Sequence, residues 1–241
     1  MNSSDQRLPL YQRLRDELMA KIVSRVWQPD TPIPTEIELT KAYGVAIGTV
    51  RKAVEILVAE GVLERNQGRG TFVRRPSFKA SPFRFFRHQT GGAGNRVPES
   101  RIFGRQLTMP PEHVASALGL NKRAKAIRLD RLRLVDGHPV LLEEIWLPYA
   151  RFSALMTPEL ADFGDLLYPI YEERCGQTVA SAQETLTAES VDAVAAVHLG
   201  IDTGKPVIVI ERLAFGYDQK PLEWRRSMGP ADGFRYKVDI R

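Results

Sequence analysis

The sequence predicts an α+β protein in two parts: a helical head closed by a β-hairpin, and a larger domain built on a mostly antiparallel sheet. Three observations predict it. Apolar residues recur at helical spacing through the first sixty positions. The stretch "RNQGRGTFV" at 65–73 then turns on two glycines into strand-forming residues. Further on, a helix-strand-turn-strand pattern occurs twice, 81 residues apart. A chain of 241 residues, 43% hydrophobic and 26% charged, is long enough to bury two modest cores.

In the head, Leu10, Leu14, Leu18 and Ile22 recur every fourth residue and give one apolar face to a helix of about four turns. The prolines of "PDTPIPTEIEL" forbid its continuation, and Thr35 followed by Glu38 forms a capping box that opens a second, short helix. Gly44 ends that helix. Val50, Ala53, Val54 and Leu57 mark the buried face of a third, which turns Ile47, Gly48, Thr49, Arg51, Lys52 and Glu55 outward until Gly61 stops it. Two short helices joined by a tight turn and followed by a hairpin make a winged helix-turn-helix. A phosphate-cradling nucleotide loop would need a Gly-Lys-Ser/Thr ending and a following helix, whereas Thr71, Phe72 and Val73 continue as strand. The glycine pair is therefore a wing tip. Gly68 and Gly70 let the backbone turn and approach a groove closely, and Arg69 offers its guanidinium to phosphates or a minor groove.

Charge agrees with this placement. The net charge is +5, and no acid occurs between Glu64 and Glu99, a gap that holds Arg65, Arg69, Arg74, Arg75, Lys79, Arg84, Arg87 and Arg96. Such a run is either a solvated linker or an attractor of phosphates. Proline-bearing "RRPSFKASP" marks the linker itself, so the expected division is a head at 1–74, a linker at 75–82 and a second domain at 83–241. The opening "MNSSDQR" carries no apolar leader segment and no stretch approaches the ~18 residues of a membrane span. With Cys175 as the single cysteine, no internal disulfide can form, and the expectation is a cytoplasmic protein off the membrane.

In the second domain, Leu118-Gly119 recurs as Leu199-Gly200, and Arg131-Leu132 as Arg212-Leu213. Each copy reads as a helix closed by Leu-Gly, a strand, a turn ("VDGH" or "GYDQK") and a return strand bearing a glutamate in "PVLLEE" or "PLEW". A pocket between the copies is then expected. Strand alternation puts Arg131 and Arg133 on the face of Ile127 and Leu129, where two guanidiniums need anions. A three-residue "DGH" loop would set Arg131 across from Glu143; a two-residue Asp-Gly turn would bring Glu144 near instead. Each such pair taken singly reads as a cross-strand salt bridge, while the concentration of Arg131, Arg133, Glu143 and Glu223 reads as a binding site. Phe83, Phe85 and Phe86 read as a strand entering a core. His88, His113, His138 and His198 show no metal-ligand spacing with Cys175, and no nucleophile motif occurs, so neither metal, cofactor nor catalytic residue is expected.

The stretches "PLYQRLRDELMAKIV", "PTEIELTKAYGV", "TVRKAVEILVAEGVLER" and "QGRGTFV" resemble, in order and without gaps, the winged-helix domain of the GntR family of bacterial transcription regulators. From Phe83 onward, "RLRLVDGHPVLLEEIWLP", "DLLYPIYEERCG" and "PLEWRRS" resemble the UTRA ligand-sensing domain of the family's HutC branch, whose fold is similar to chorismate lyase. The resemblance implies DNA contacts from Thr35, Ile47, Thr49, Arg51, Lys52, Gly68, Arg69 and Gly70. It also implies an effector pocket lined by Arg131, Arg133, Glu143, Tyr168 and Glu223.

The chain departs from the family pattern at three places. Ile37 stands where a basic residue is expected, Ala46-Ile47 replaces the Ser-Arg that opens the recognition helix, and Trp224 stands where many relatives have tyrosine. Losing the serine cap removes roughly 0.5–2 kcal/mol of helix stability, and losing the arginine removes a bidentate guanine reader in favour of a side chain that can pack on a thymine methyl.

The implied protein is a transcription regulator, in repressor form, that binds double-stranded operator DNA as a homodimer under control of a small polar or anionic effector. Pairing follows because one head buries too little surface for tight specific binding. Two other readings remain open at this stage: a chorismate-lyase-type enzyme fused to a DNA-binding module, and a sequence-tolerant nucleic-acid binder with no effector.

Overall fold

A computed structural model of the chain describes residues 8–74, 98–232 and 234. The expected linker, the cluster Phe83, Phe85 and Phe86, and the basic residues Arg75, Lys79, Arg84, Arg87 and Arg96 lie outside the described residues. Chain contacts divide the molecule into two compact units.

The first unit holds α1 (Leu10–Val23), α2 (Glu36–Tyr43), α3 (Ile47–Ala59), β1 (Leu63–Asn66) and β2 (Gly70–Val73). In α1 the buried stripe is Leu14, Leu18, Met19 and Ile22, while Leu10 stays 48% exposed. A strict every-fourth-residue row drifts by about 40° per step around a 3.6-residue helix, so Leu10 at one end leaves the core while Met19, beyond the other side of the row, is buried. The capping box of α2 is formed as expected. The Glu38 amide donates to Thr35 Oγ1 at 3.3 Å and the Thr35 amide to Glu38 Oε2 at 2.8 Å. Gly44 closes the helix in the left-handed region at φ 63°. In α3 the buried residues are the expected four, Val50, Ala53, Val54 and Leu57, and its N-cap Ala46 makes no side-chain cap. The wing pairs Leu63 with Val73 through Asn66 with Gly70. Its three-residue tip needs left-handed backbone at Gly68, φ 72°.

The second unit is a six-stranded sheet in the order β3-β4-β5-β8-β7-β6, antiparallel at every junction. In chain order its elements are β3 (Glu99–Thr108), α4 (Glu112–Ala117), β4 (Ala126–Val135), β5 (His138–Pro148), α5 (Tyr149–Phe152), α6 (Leu167–Cys175), β6 (Val179–Ser190), α7 (Ala193–Leu199), β7 (Pro206–Gly216) and β8 (Pro221–Pro230). Two single-turn 3₁₀ segments, Ser153–Met156 and Leu160–Phe163, separate α5 from α6. The strand order reads the same from either edge, so the repeat is strand-helix-strand-strand. Each copy is one strand longer than the sequence pattern indicates. The added strands, β3 and β6, are the two edges, and the outer half of β6 is exposed on both faces, which erases the apolar alternation that betrays a strand.

One face of the sheet buries Ile127, Leu129, Ile145 and Leu147 beneath Phe152, Leu155, Phe163, Leu167 and Tyr171. The other face carries α4 over Trp146 and Trp224, and α7 over Val207, Val209 and Met228. No helix among the described residues is long and apolar enough to cross a membrane.

Candidate functional site

In the head, Ile47 opens α3 and is 45% exposed; Thr49 is half-buried, and Arg51 and Lys52 are exposed. Arg51 is not a free cation. Its Nε lies 3.2 Å from Glu36 Oε2, and Arg65 Nη2 of β1 lies 3.1 Å from the other oxygen of the same carboxylate. Glu36, which sequence reasoning passed over, thus joins the recognition helix to the wing. Lys52 sits 4.1 Å from the centroid of the Tyr11 ring, and the Arg69 guanidinium carbon 5.8 Å from that of Phe72. The Thr35 hydroxyl is already used in the cap, where it donates to Glu38 Oε2 at 2.8 Å. Hydrogen bonding from Thr35 holds the Glu38 carboxyl below its usual range. Exposed ion pairs of this kind are worth under about 1 kcal/mol, so the arginines can exchange a carboxylate for a phosphate at little cost.

In the sheet domain, the turn after β4 has two residues, Asp136 and Gly137, at φ 50° and 77°. Glu144 should then approach Arg131, yet the register pairs Arg131 with Glu143. The pairing moves from Leu134–Pro139 to Arg133–Leu141, leaving Val140 as an extra residue. This bulge restores the register of a three-residue loop and turns Glu143 inward.

Arg131 Nε donates to Glu143 Oε2 at 2.5 Å, and Ser227 Oγ donates to Glu143 Oε1 at 3.1 Å. Glu223 accepts from Tyr171 at 2.7 Å, from Arg225 Nη2 at 2.7 Å and, at the limit of 3.5 Å, from Tyr168. Arg225 Nη1 lies 3.5 Å from Glu143, so this one guanidinium bridges both glutamates. Arg212 donates to the Tyr168 hydroxyl at 3.1 Å and pairs with Glu184 of β6. Arg133 donates to the backbone carbonyl of Asp165 at 2.5 Å. The five residues expected from sequence therefore do converge. They do so with Arg212, Arg225, Ser227, Tyr171 and Glu184, which the expectation missed.

The internal repeat held the signal for two of these. Register sets Arg212 opposite Arg225 as it sets Arg131 opposite Glu143. The counterpart of Glu143 is therefore Arg225, and Glu223, which pairs with Ala214, is not its duplicate. Trp224 points to the opposite face, against Val114 and Leu118, and does not line the cluster.

Burial makes the cluster electrostatically tense. It opposes the charge on Glu143, but Arg131, Arg225 and Arg133 prevail and hold that carboxyl down at about 2. Burial, with Arg131 adding repulsion, pushes Arg133 down to about 10. For Arg225, burial is outweighed by Glu223 and Glu143, which raise it. Burial and then Glu223 raise both tyrosine hydroxyls, which therefore stay protonated donors. Four buried guanidiniums face two buried carboxylates, with the half-buried Glu184 and the exposed Asp165 at the margins, and Arg131 Nη1 and Arg225 Nε are buried without a hydrogen-bond partner among the described residues. Such a surface suits a small anion with polar groups. Among the described residues no cluster of His, Cys, Asp or Glu could hold a metal ion.

A winged helix followed by a domain with a buried, cation-rich cluster defines a DNA-binding regulator. Comparison with known proteins makes this specific: residues 10–73 match the family model for bacterial regulatory proteins of the gntR family, and residues 93–235 match the UTRA domain model. The chain belongs to the gntR family of bacterial regulatory proteins and carries a UTRA domain. It is 28% identical over 231 residues to the HTH-type transcriptional repressor NagR of Bacillus subtilis (strain 168), covering 95% of this chain and 93% of that one. It is 30% identical over 218 residues to the "Probable fructoselysine utilization operon transcriptional repressor" of Escherichia coli (strain K12), covering 88% and 87% respectively. Among solved structures, PhnF from Mycobacterium smegmatis matches with a TM-score of 0.55 at 25% identity, covering 97% of this chain and 99% of that chain. The protein is accordingly a DNA-binding transcription regulator and not an enzyme.

Proposed function

We propose that the protein is a cytoplasmic, homodimeric repressor whose heads bind paired half-sites of an operator and whose sheet cluster binds a small polar or anionic effector. The proposed division is a DNA-binding head at 1–74, a linker at 75–82 and an effector-binding and dimerising domain at 83–241. On the DNA side, Thr49, Arg51, Lys52 and Ile47 face the major groove; Gly68, Arg69 and Gly70 meet the backbone or minor groove, and Thr35, through its cap, sets the N-terminal end of α2 against the backbone. On the effector side, Arg131 and Arg133 take the anion, and Glu143, Tyr168 and Glu223 orient polar groups, with Arg212, Arg225 and Tyr171 completing the wall.

The observation that carries the reading is the excess of buried guanidiniums over carboxylates, with donors of Arg131 and Arg225 left unpaired among the described residues. Buried donors without partners are rare because each costs about 1–3 kcal/mol, and a ligand that satisfies them recovers that energy. Ligand binding shifts operator affinity only if it favours a head spacing that does not match the half-sites.

The test is a thermal-shift screen of small anionic metabolites against the full chain, followed by operator titration at fixed salt. A compound present at about one hundred times its Kd should stabilise the protein by about 2.7 kcal/mol and release operator. Turnover of the compound, or equal affinity for operator and random DNA, would contradict the proposal.

A further inference from the structure

Among the large apolar side chains that stand in water on the head, two lie on α2 and α3, Ile37 at 60% exposed and Ile47 at 45%. The head's own core is complete without them, built from Leu14, Leu18, Ile22, Leu39, Val50, Val54 and Leu57. Arg51 lies four residues after Ile47 and so shares its helix face. The same Arg51 reaches Glu36, the residue next to Ile37, at 3.2 Å, and Arg65 reaches that carboxylate at 3.1 Å. Ile47 therefore shares a helix face with one of two guanidiniums that meet on Glu36, and Ile37 directly follows that carboxylate on α2. Directly after Ile47 stands Gly48, the second residue of α3, where an added Cβ would meet no atom within 4 Å. Glycine is the poorest helix former apart from proline, and nothing in the head's packing requires it here. The first turn of α3 is thus small, apolar and bare, beside cations.

We infer that Ile47 and Ile37 read thymine C5-methyl groups in the major groove, with Gly48 letting the helix end approach the base edges. This rests on the proposed DNA-reading role of the head. Thymine is the one base that presents a methyl in the major groove, so the half-site carries A·T pairs where these side chains land. Arg51 and Arg65 supply the complementary charge for the flanking phosphates. An apolar side chain gains nothing from a guanine edge, whose N7 and O6 would lose water without a donor in return.

The experiment selects duplexes from a random pool with the full-length protein, then resynthesises the enriched half-site with deoxyuridine in place of each thymine in turn. That change removes the methyl and leaves every hydrogen bond of the base pair intact. At the positions read, the wild type should bind the deoxyuridine duplex about fourfold more weakly, the factor expected for one buried methyl. The loss should vanish for Ile47→Ala at one position and for Ile37→Ala at another. Both side chains are exposed, and thermal melts of the two variants should match the wild type. Ile47→Arg should enrich guanine at its position. Equal binding of thymine and deoxyuridine duplexes at every position overturns the inference while leaving DNA reading intact, as does an unchanged selected sequence for Ile47→Arg. Failure to enrich any duplex overturns the DNA-reading role itself, and the inference with it.

Discussion

One carboxylate held between two guanidiniums occurs in both halves of the molecule, and burial separates the two. In the head, Glu36 stands between Arg51 and Arg65 with side chains 28%, 56% and 45% exposed. In the sheet, Glu143 stands between Arg131 and Arg225 with side chains 1%, 3% and 6% exposed. Water screens the first trio, so each pair contributes little and can be traded for phosphate contacts as DNA arrives. The second trio has lost its water, and every unpaired donor or missing charge carries a large energy. Exchangeability suits a surface that must bind and leave a polyanion. Tension suits a site whose occupancy must alter the protein.

The largest expected effect comes from breaking the buried trio. Glu143→Gln leaves Arg131, Arg225 and Arg133 without their shared anion and should cost about 3–5 kcal/mol in a denaturant melt. The same carboxyl predicts an acid limb. Its folded value of about 2 lies below the ordinary 4.5, so its contribution is complete above about pH 4.5 and is lost as pH falls toward 2. The Gln variant should lack that component, and a wild-type and variant pair with parallel acid profiles would remove Glu143 from the account. On the exposed side, Arg69→Ala should leave the melt unchanged and lower the slope of log affinity against log salt by about one. An unaltered slope would take the wing tip off the DNA. Smallest is Gly48→Ala, expected to stabilise the head by up to about 1 kcal/mol while weakening duplex binding. A stabilised variant with undiminished binding would show that α3 keeps its distance from the groove.

Much of the head could be read from sequence because its signals are local. The Thr35–Glu38 cap, the four buried positions of α3 and the glycine tip each lie within a few residues of their partners. The Arg131–Glu143 pair was within reach but depended on the extra residue at Val140, which no composition or spacing betrays. Arg225 was hidden for a different reason. The glutamates of the two return strands suggest Glu223 as the equivalent of Glu143, whereas the ladder sets Arg225 at the Glu143 position. Tyr171 was overlooked beside Tyr168, although both lie on α6 and it is Tyr171 that donates to Glu223 at 2.7 Å. Side chains that meet across 44 to 84 residues of chain, as Tyr168 with Arg212 and Glu143 with Ser227 do, leave no mark in any short window.

The central claim is that the head holds the DNA while the buried cluster decides when it lets go, and Arg133 separates the two most cleanly. The residue is 8% exposed and its guanidinium bonds a backbone carbonyl, while Glu143 keeps its direct partners Arg131 and Arg225 when Arg133 is removed. The measurement is an operator titration of Arg133→Gln beside the wild type, with and without the metabolite that stabilises the wild type, and with a melt to establish folding. The account predicts operator affinity within about threefold of wild type, below about 0.7 kcal/mol, and no release at metabolite concentrations that release the wild type. A folded variant that releases operator at the wild-type concentration would contradict it.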